Sequence, residues 1–497
     1  MFLASRLSGL LGAVSLLAAC AAGVSRPPGG PIRVGLYAAP LSLDPHLENE
    51  FLTSCVLANA FDGLTALDEA MRVVPALAVS WDTPSPSTWR FRLRRGARFQ
   101  DGTPVRAEDV VWSLGRARRH PKSAVSHYLA DIVDVRTRGP EVVEVRTQAS
   151  TSLLLNRLSF VAIVPEGSPE EILVPVGTGP YRFATSAARD ELTLVRSDVY
   201  WGRRPREPLV RLLVVRDPAR MREMLSSGAL DFALNPAPDE ADRMRSAACC
   251  RVLARTGVAV DMLQFRLDRA PFDDLRVRRA VSLALDRSAL VERALKGWGE
   301  PASQLASAGT VGFSPALRAP VRDLAGARRL LAQAGHAGGL SVALEFREDR
   351  RAEEIRRQLA EAGIDLTLRP LPWGEVLSRM RSGATELYYG GLVADSGDAG
   401  DILDTAVHSP RPDAGLGFDN HSGFSSPEVD RLLLEARIAP TLFDRRDALQ
   451  RAMEEVMAEL PMVPLVVPYD LYVVRRNVVW TPRLDGRVLA ADLVRGP

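Results

Sequence analysis

Two charged side chains lie at the ends of predicted strands. Arg347 directly follows a strand-like run, Leu340–Phe346, and Asp395 lies in the loop after a second strand-like run, Glu386–Leu392. In open α/β sheets, ligands bind beyond the carboxyl ends of the strands. A guanidinium group suits a carboxylate, and an aspartate suits an ammonium group. The chemistry predicted for this pair is therefore recognition of a molecule that carries both charges.

The strand before Arg347 belongs to one of two predicted βαβ units. In this unit the helix Ala352–Ala362 repeats its apolar residues on one face, and the strand Ile364–Leu371 follows it. The other unit consists of a strand, a helix with proline in its first turn and a second strand: Leu209–Arg216, Pro218–Ser227 and Leu230–Leu234. Such units form parallel sheets with helices on their faces. Two of them predict two α/β lobes, and a cleft between lobes is a common small-molecule site.

A further mixed region is predicted in the first half of the chain. The folded body opens with a strand-like run, Ile32–Tyr37, and several β-type runs lie between about Val73 and Pro175. A helix candidate, Ala107–Arg119, lies among them. This mixture predicts an α+β subdomain that is inserted early in the chain.

The first twenty residues predict export. One positive charge, Arg6, precedes an apolar run, Leu7–Ala19, and Cys20 follows this run directly. The run is too short for a transmembrane helix, which needs about 20 apolar residues, and its flanks have the secretory pattern. The small residues before the cysteine resemble the bacterial lipoprotein signal, in which Cys20 would be acylated and become the mature N-terminus. The alternative is an ordinary cleaved signal peptide with an incidental cysteine.

The composition limits the classes of partner. The chain has 497 residues, of which 46% are hydrophobic and 25% charged, and a formal net charge of +2. Its basic residues are scattered, which argues against a nucleic-acid partner. No apolar run after the leader approaches membrane length, so a lipid anchor would be the only attachment to a membrane. The six histidines have no metal-ligand spacing, and neither a metal nor a cofactor is predicted.

Three cysteines follow the leader: Cys55, Cys249 and Cys250. In an exported protein this odd number permits one disulfide and one free thiol. A bridge from Cys55 to one of the adjacent pair is possible. A bridge between the two adjacent cysteines would strain the backbone, and we do not predict it.

No catalytic motif accompanies these residues. The sequence contains neither a G-x-S-x-G nucleophile elbow nor the H-E-x-x-H zinc motif. The charged residues at the strand ends also have no nucleophile beside them. An enzyme is therefore not expected.

A series of sequence phrases runs in order along the chain after the leader. They are S-L-D-P-H (42–46), P-A-L-A (75–78), F-R-L-R-R-G-A-R-F-Q-D-G-T-P (91–104), A-E-D-V-V (107–111), G-T-G-P-Y-R-F (177–183), V-R-R-A-V-S-L-A-L-D-R (277–287) and P-M-V-P-L (461–465). Each phrase alone is weak evidence. Together with the lipoprotein-like leader, they resemble the extracytoplasmic solute-binding proteins of peptide ABC importers, the dipeptide- and oligopeptide-binding family 5.

This resemblance implies a two-lobed α/β fold of the periplasmic-binding-protein type II, with an extra α+β subdomain inserted in the first lobe. A signal peptide (1–20) and a tether (21–31) would precede the lobes. The first lobe would comprise residues 32–260 and 466–497, including the subdomain at about 67–175, and the second lobe residues 261–465. The protein would be a monomer whose lobes close over the ligand.

The resemblance also assigns roles to single residues. In dipeptide-binding relatives, an arginine after the first strand holds the ligand carboxylate, and an aspartate in a Gly-Asp-x-Gly-Asp loop holds the α-amino group. These positions match Arg347 and Asp395, with Asp398 as the next candidate. Arg266 stands where the family usually has asparagine, so it could meet a ligand carboxylate or simply be exposed.

The expected function is capture of short peptides for an ABC importer, whose permease and ATPase subunits would be the protein partners. Two alternatives stay open. The same fold could bind a nickel chelate, haem, a sugar or an opine, or the chain could be a surface receptor or scaffold that transports nothing. Ionic groups in the cleft would favour peptides, an apolar aromatic cleft would favour haem or a sugar, and a collapsed cleft would favour the scaffold.

Overall fold

A computed structural model describes residues 30–184, 190–347, 351–411, 414–439 and 441–496 of the chain. The predicted anchor Cys20 and the tether up to residue 29 lie outside these ranges. Contacts group Pro31–Pro497 into one unit. Among the described residues, no helix is both long and apolar enough to cross a bilayer.

The strands form one large mixed sheet and three small sheets in the described part of the chain. In chain order they are β1 (Ile32–Leu36), β2 (Thr65–Leu67), β3 (Val73–Pro75), β4 (Ala78–Ser85), β5 (Thr88–Leu93), β6 (Ile132–Thr137), β7 (Val142–Thr147), β8 (Tyr181–Phe183), β9 (Glu191–Arg196), β10 (Leu209–Val214), β11 (Phe232–Leu234), β12 (Cys250–Thr256), β13 (Ala259–Phe265), β14 (Gly299–Pro301), β15 (Leu340–Phe346), β16 (Ile364–Pro370), β17 (Leu387–Val393), β18 (Met462–Arg475), β19 (Val478–Val479) and β20 (Val494–Arg495).

Helices cover the faces of these sheets. In chain order they are α1 (Phe51–Leu57), α2 (Ala107–Arg119), α3 (Leu154–Leu158), α4 (Pro218–Ser227), α5 (Pro238–Met244), α6 (Leu275–Ala284), α7 (Arg287–Ala294), α8 (Leu324–Gln333), α9 (Arg351–Ala360), α10 (Trp373–Arg381), α11 (Gly400–Ile402), α12 (Pro427–Ile438) and α13 (Leu442–Glu459).

The main sheet has two halves that share the long strand β18. The first part of β18 pairs with β13 and β14, and its second part pairs with β11 and β12. One half continues from β13 through β17 and β15 to β16, and the other continues from β11 through β1, β10 and β9 to β8. The chain also passes from one half to the other between β12 and β13. The chain therefore connects the two halves of the sheet twice.

Both predicted βαβ units are present with parallel strands. β15 pairs in parallel with β16, and α9 connects them. α4 connects β10 to β11, and both of these strands lie parallel to β1. The N-terminus of α4 follows local rules, because Asp217 accepts a hydrogen bond from the Ala219 backbone N–H at 3.0 Å and Pro218 occupies the first turn. Gly228, at φ 77°, ends the helix in a left-handed conformation.

Each lobe buries its own apolar cluster. One cluster contains Leu344 and Ile355, and the other contains Val210 and Phe232, all fully buried. Burial of a large apolar side chain stabilises the fold by about 1.5–3 kcal/mol. Each half of the main sheet thus packs on its own apolar cluster.

The early α+β region forms a four-stranded antiparallel sheet in the order β4–β5–β7–β6. The helix α2 has the predicted bounds, Ala107–Arg119, and packs Val110 and Leu114 against Phe91 of the sheet within one buried cluster. The inserted subdomain predicted from sequence is therefore present. Its limits and those of the lobes remain predictions.

The three cysteines of the folded body are free. Cys55 lies buried in α1, whereas Cys249 and Cys250 lie at the start of β12. The structure does not contain the bridge between Cys55 and the adjacent pair that the sequence left open.

Candidate functional site

A cleft of about 1890 Å³ lies where the two halves of the main sheet meet. Its lining includes Ala259 of β13 and Tyr469 of β18, together with Tyr128 and Phe160 of the α+β region. Small-molecule pockets measure about 300–1,000 Å³. The cleft is therefore open and large enough for a peptide. It is not collapsed, which was the observation expected to favour a scaffold that transports nothing.

The loop after β17 presents the Asp395 carboxylate to this cleft. The flanking residues Ala394 and Ser396 are buried, whereas Asp395 is exposed and lines the cleft. The Ala394 backbone N–H donates to the Val258 carbonyl at 3.2 Å, and the Gly397 backbone N–H donates to the Ala394 carbonyl at 2.8 Å. These bonds fix the loop on the link between β12 and β13. The position predicted from the end of a strand is thus at the cleft.

The surroundings of the Asp395 carboxylate favour binding of a cationic group. Asp395 is open to the cleft, but the protein atoms packed around it keep part of the solvent away and raise its pKa to about 6, whereas the nearby Arg487 guanidinium lowers this pKa. The carboxylate accepts no hydrogen bond from any described residue. A partly desolvated carboxylate without a partner gains most from a ligand ammonium group, because that group supplies both a charge and hydrogen bonds.

Asp398 has a different role. Its Oδ1 atom accepts hydrogen bonds from Arg445 Nη2 and from the Gly400 backbone N–H, both at 2.7 Å, and its Oδ2 atom accepts from Arg445 Nε at 2.8 Å. The Asp398 and Arg445 side chains are only 3% and 1% exposed. Asp398 does not line the cleft. Because both oxygen atoms of Asp398 already accept hydrogen bonds within the protein, we leave Asp398 out of the proposed ligand site.

The arginine that lines the cleft beyond β15 is Arg351 rather than Arg347. Arg347 directly follows β15 and is exposed, but it is not among the described residues that line the cleft. Arg351, the first residue of α9, lines the cleft and forms an ion pair with Asp261. Its guanidinium carbon lies 5.8 Å from the centroid of the Tyr389 ring. The structure thus brings Asp395 and Arg351 to one cleft, and the ligand role expected of Arg347 stays a prediction.

Arg266 lies at the far end of β13. Its Nε donates to Asp268 Oδ1 at 2.8 Å, and its Nη1 donates to the His421 carbonyl at 3.1 Å. Ala259, at the other end of the strand, lines the cleft. Six residues of extended chain separate the two ends by about 20 Å. Of the two roles that the sequence left open for Arg266, this placement favours the one outside the ligand site.

Arg487 also lines the cleft, and the sequence analysis did not predict this. Its guanidinium carbon lies 5.1 Å from the centroid of the Phe160 ring, and both residues line the cleft. The Phe160 ring stacks on Tyr128 with a centroid distance of 5.0 Å. Arg487 follows the last long strand in a segment without regular periodicity. No local signal could have distinguished it from other surface arginines.

Contacts across the cleft join the α+β region to the opposite lobe. The Asn156 side chain, in α3, donates from Nδ2 to the Ser396 carbonyl at 3.2 Å. Arg437, in α12, forms an ion pair with Asp131, which also pairs with Arg157. These contacts hold the Asp395 loop against the α+β region in this conformation.

Known proteins are similar to this chain in sequence and in fold. Residues 72–413 match the family described as bacterial extracellular solute-binding proteins, family 5 Middle. The glutathione-binding protein GsiB of Escherichia coli (strain K12) is 26% identical in a match of 447 residues, and the match covers 86% of this chain and 86% of that protein. The binding protein DppA of Helicobacter pylori, solved with the peptide STSA, has a TM-score of 0.82 at 22% identity and covers 94% of this chain and 98% of its own. AgaA from A. tumefacien R10, solved with agropinic acid, has a TM-score of 0.80 at 24% identity and covers 94% of this chain and 99% of its own.

Proteins of this family are non-catalytic and work outside the cytoplasm with the permease and ATPase components of ABC transporters. The two-lobed α/β fold with its inserted subdomain agrees with the solved structures. The family match covers more than two thirds of the sequence. This chain therefore belongs to the bacterial extracellular solute-binding proteins of family 5, the binding components of ABC importers.

Proposed function

We propose that this protein captures short peptides with free termini in its cleft and delivers them to the permease of a peptide importer. The observation that carries the proposal is the Asp395 carboxylate, which faces the cleft without a hydrogen-bond partner among the described residues. In this site it binds the peptide ammonium group. Main-chain hydrogen bonds hold the backbone of the bound peptide between the lobes as an added strand, so the side chains of the peptide can vary.

The ligand carboxylate needs a cationic partner in the same cleft. We assign this role to Arg351 in place of Arg347, because Arg351 lines the cleft at the predicted end of β15. Asp261 already pairs with Arg351 and so fixes the position of its guanidinium. A planar guanidinium matches the geometry of a carboxylate, which is why an arginine suits this role.

Calorimetry tests the proposal directly. The mature protein is unfolded and refolded to remove carried-over ligand and is then titrated with a mixed set of dipeptides and tripeptides. We expect saturable binding in the micromolar range, about −8 kcal/mol. Absence of binding by every peptide in the set, for a refolded protein with a cooperative unfolding transition, would contradict the proposed function.

Peptide binding should weaken as the pH falls below about 6. Burial raises the pKa of Asp395 to about 6, so the carboxylate is ionised at pH 7.5 and becomes protonated at pH 5. The neutral acid loses its attraction for the ammonium group, so affinity should fall by up to about tenfold per pH unit below this value. The Asp395→Asn variant should bind weakly and with little change in affinity over the same range.

A second acid of the cleft could also contribute to the pH profile. Burial and the neighbouring Asp485 raise the pKa of Asp470 to about 7. Calorimetry of Asp395→Asn from pH 5 to 8 separates the two groups, because any remaining pH dependence then arises outside Asp395. A wild-type affinity that is constant between pH 7.5 and 5 would remove Asp395 from the ammonium site.

We also propose that Cys20, which lies outside the described residues, carries the lipid anchor. Several acyl chains on one residue give stable attachment where a single chain gives only marginal binding. The Cys20→Ser variant should move from the membrane fraction to the soluble fraction of the cell envelope, and its peptide affinity should not change. Membrane attachment that survives the substitution would favour the ordinary secretory leader.

A further inference from the structure

Residues from three separate parts of the chain meet in one corner of the cleft. The corner consists of Asp395, Tyr128, Phe160 and Arg487, and all four residues line the cleft. The rings of Phe160 and Tyr128 stack on each other. The Arg487 guanidinium packs on the Phe160 ring, with its carbon 5.1 Å from the ring centroid. We call this group the Asp395 corner.

A hydrogen bond ties the aromatic side of the corner to the acidic side. The Asn156 side chain donates to the Ser396 carbonyl at 3.2 Å, and Ser396 is the residue after Asp395. Asn156 also lies four residues before Phe160. Asp395 and Arg487 thus border one part of the same cleft.

The two charges of the corner are neighbours but do not pair. The Arg487 charge acts on the Asp395 carboxyl, yet no ion pair joins the two among the described residues. No described residue accepts a hydrogen bond from the Arg487 guanidinium, and none donates one to the Asp395 carboxylate. An arginine on an aromatic ring keeps the N–H groups of its edge available for a carboxylate.

This arrangement distinguishes two kinds of peptide by the chemistry of their amino ends. In an ordinary α-peptide, the carbon that carries the ammonium group is followed by a neutral amide, and the nearest obligatory carboxylate is at the other end. In a γ-linked peptide, the ammonium and a free carboxylate are attached to the same carbon. The second kind always carries both charges on one carbon, whereas an α-peptide has a carboxylate near its ammonium group only where its first side chain is acidic, and then one or two methylene groups farther out.

We propose that the Asp395 corner binds the free amino-acid head of a γ-linked peptide, with the ammonium group on Asp395 and the α-carboxylate on Arg487. This inference rests on the proposed function, namely that the cleft accepts peptides. Glutathione is a peptide with such a head, and the relative that is 26% identical to this chain is named a glutathione-binding protein. Arg487 is then the residue that selects γ-linked over α-linked peptides.

Two isomeric probes test this selectivity without changing composition or net charge. Ligand-stripped protein is titrated by calorimetry with γ-glutamyl-alanyl-glycine and with α-glutamyl-alanyl-glycine. We expect the γ-isomer to bind about 10- to 100-fold more tightly, which is the range of one charged hydrogen-bonded contact. The Arg487→Gln variant should lose this preference and bind both isomers with the affinity that the wild type has for the α-isomer.

A third probe isolates the contact between Arg487 and the α-carboxylate. It is the γ-isomer with that carboxylate converted to a carboxamide. The wild type should lose affinity for this amide to the same extent as Arg487→Gln loses affinity for the γ-isomer, and the variant should bind the acid and the amide equally. Arg206→Gln is the matched control, because Arg206 is an exposed arginine that lines the same cleft and has no contact with Phe160.

The outcomes separate the inference from the proposed function. Equal or tighter binding of the α-isomer by the wild type overturns the inference and leaves peptide capture intact. A preference for the γ-isomer that survives in Arg487→Gln, with an unchanged melting temperature, also overturns it. If neither isomer nor any other peptide binds the wild type, the proposed function fails as well.

Discussion

Replacing Asp395 by alanine is expected to reduce peptide affinity by at least about 30-fold while the protein stays folded. The carboxylate supplies the charge that faces the ligand ammonium group in a partly desolvated site. Loss of one partner of such a pair costs about 2–5 kcal/mol, because the other charge remains buried and unpaired. Calorimetry at pH 7.5 with ligand-stripped protein measures this change. Asp395 is exposed to the cleft, so the melting temperature should change little.

A chemical change in the ligand provides the control for this loss. An N-acetylated peptide lacks the ammonium group, so the wild type should bind it as weakly as Asp395→Ala binds the free peptide. The variant should bind both peptides equally. Glu69→Gln removes another exposed acid of the cleft lining and should keep nearly wild-type affinity. Full affinity of Asp395→Ala for the free peptide would exclude Asp395 as the ammonium site.

Replacing Asp398 by alanine is expected to destabilise the fold by about 3–5 kcal/mol. The substitution leaves the Arg445 guanidinium charged and 1% exposed. Among the described residues, the Ala436 carbonyl, which accepts from its Nη1 at 2.8 Å, is then its remaining hydrogen-bond partner. Breaking one side of a buried ion pair has a cost of this size. Urea unfolding monitored by circular dichroism gives the change in the free energy of unfolding.

Two further variants identify the cause of that destabilisation. Asp447→Ala removes an exposed acid from the same helix that contains Arg445, and its pair with Arg451 is exposed, so the free energy of unfolding should change by less than about 1 kcal/mol. The double variant Asp398→Leu with Arg445→Met should recover much of the lost stability, because apolar residues of similar volume can replace a buried ion pair. If Asp398→Ala unfolds like the wild type, the ion pair does not stabilise the protein.

Much of the fold could be predicted from local sequence patterns. The helix Ala107–Arg119, the helix Pro218–Ser227 and the strand Leu340–Phe346 have the predicted bounds, because capping residues and apolar periodicity act within a few residues of the chain. The order of elements also indicated the parallel units, since a strand, a helix and a strand in succession favour a right-handed parallel crossover. The pairing of β18 with both lobes could not be predicted in this way, because it joins residues far apart in sequence.

The site was predictable only in part. The end of a strand indicated Asp395, which lines the cleft, and the same reasoning led to Arg347, while it gave no sign that Arg351, four positions later, also lines the cleft. Asp395 and Asp398 look equivalent in the sequence of their shared loop. Their roles separate because Arg445, 47 residues after Asp398, lies beneath the loop and pairs with only one of the two acids.

The sequence by itself determined the family, the order of secondary structure and the presence of an acidic loop after β17, because these properties depend on neighbouring residues and on phrases shared with relatives. Only the tertiary structure decided which charges face the cleft. A charge is available to a ligand when no buried partner neutralises it, and such partners come from distant parts of the chain. Asp398 has such a partner in Arg445, and Asp395 and Arg487 have none among the described residues.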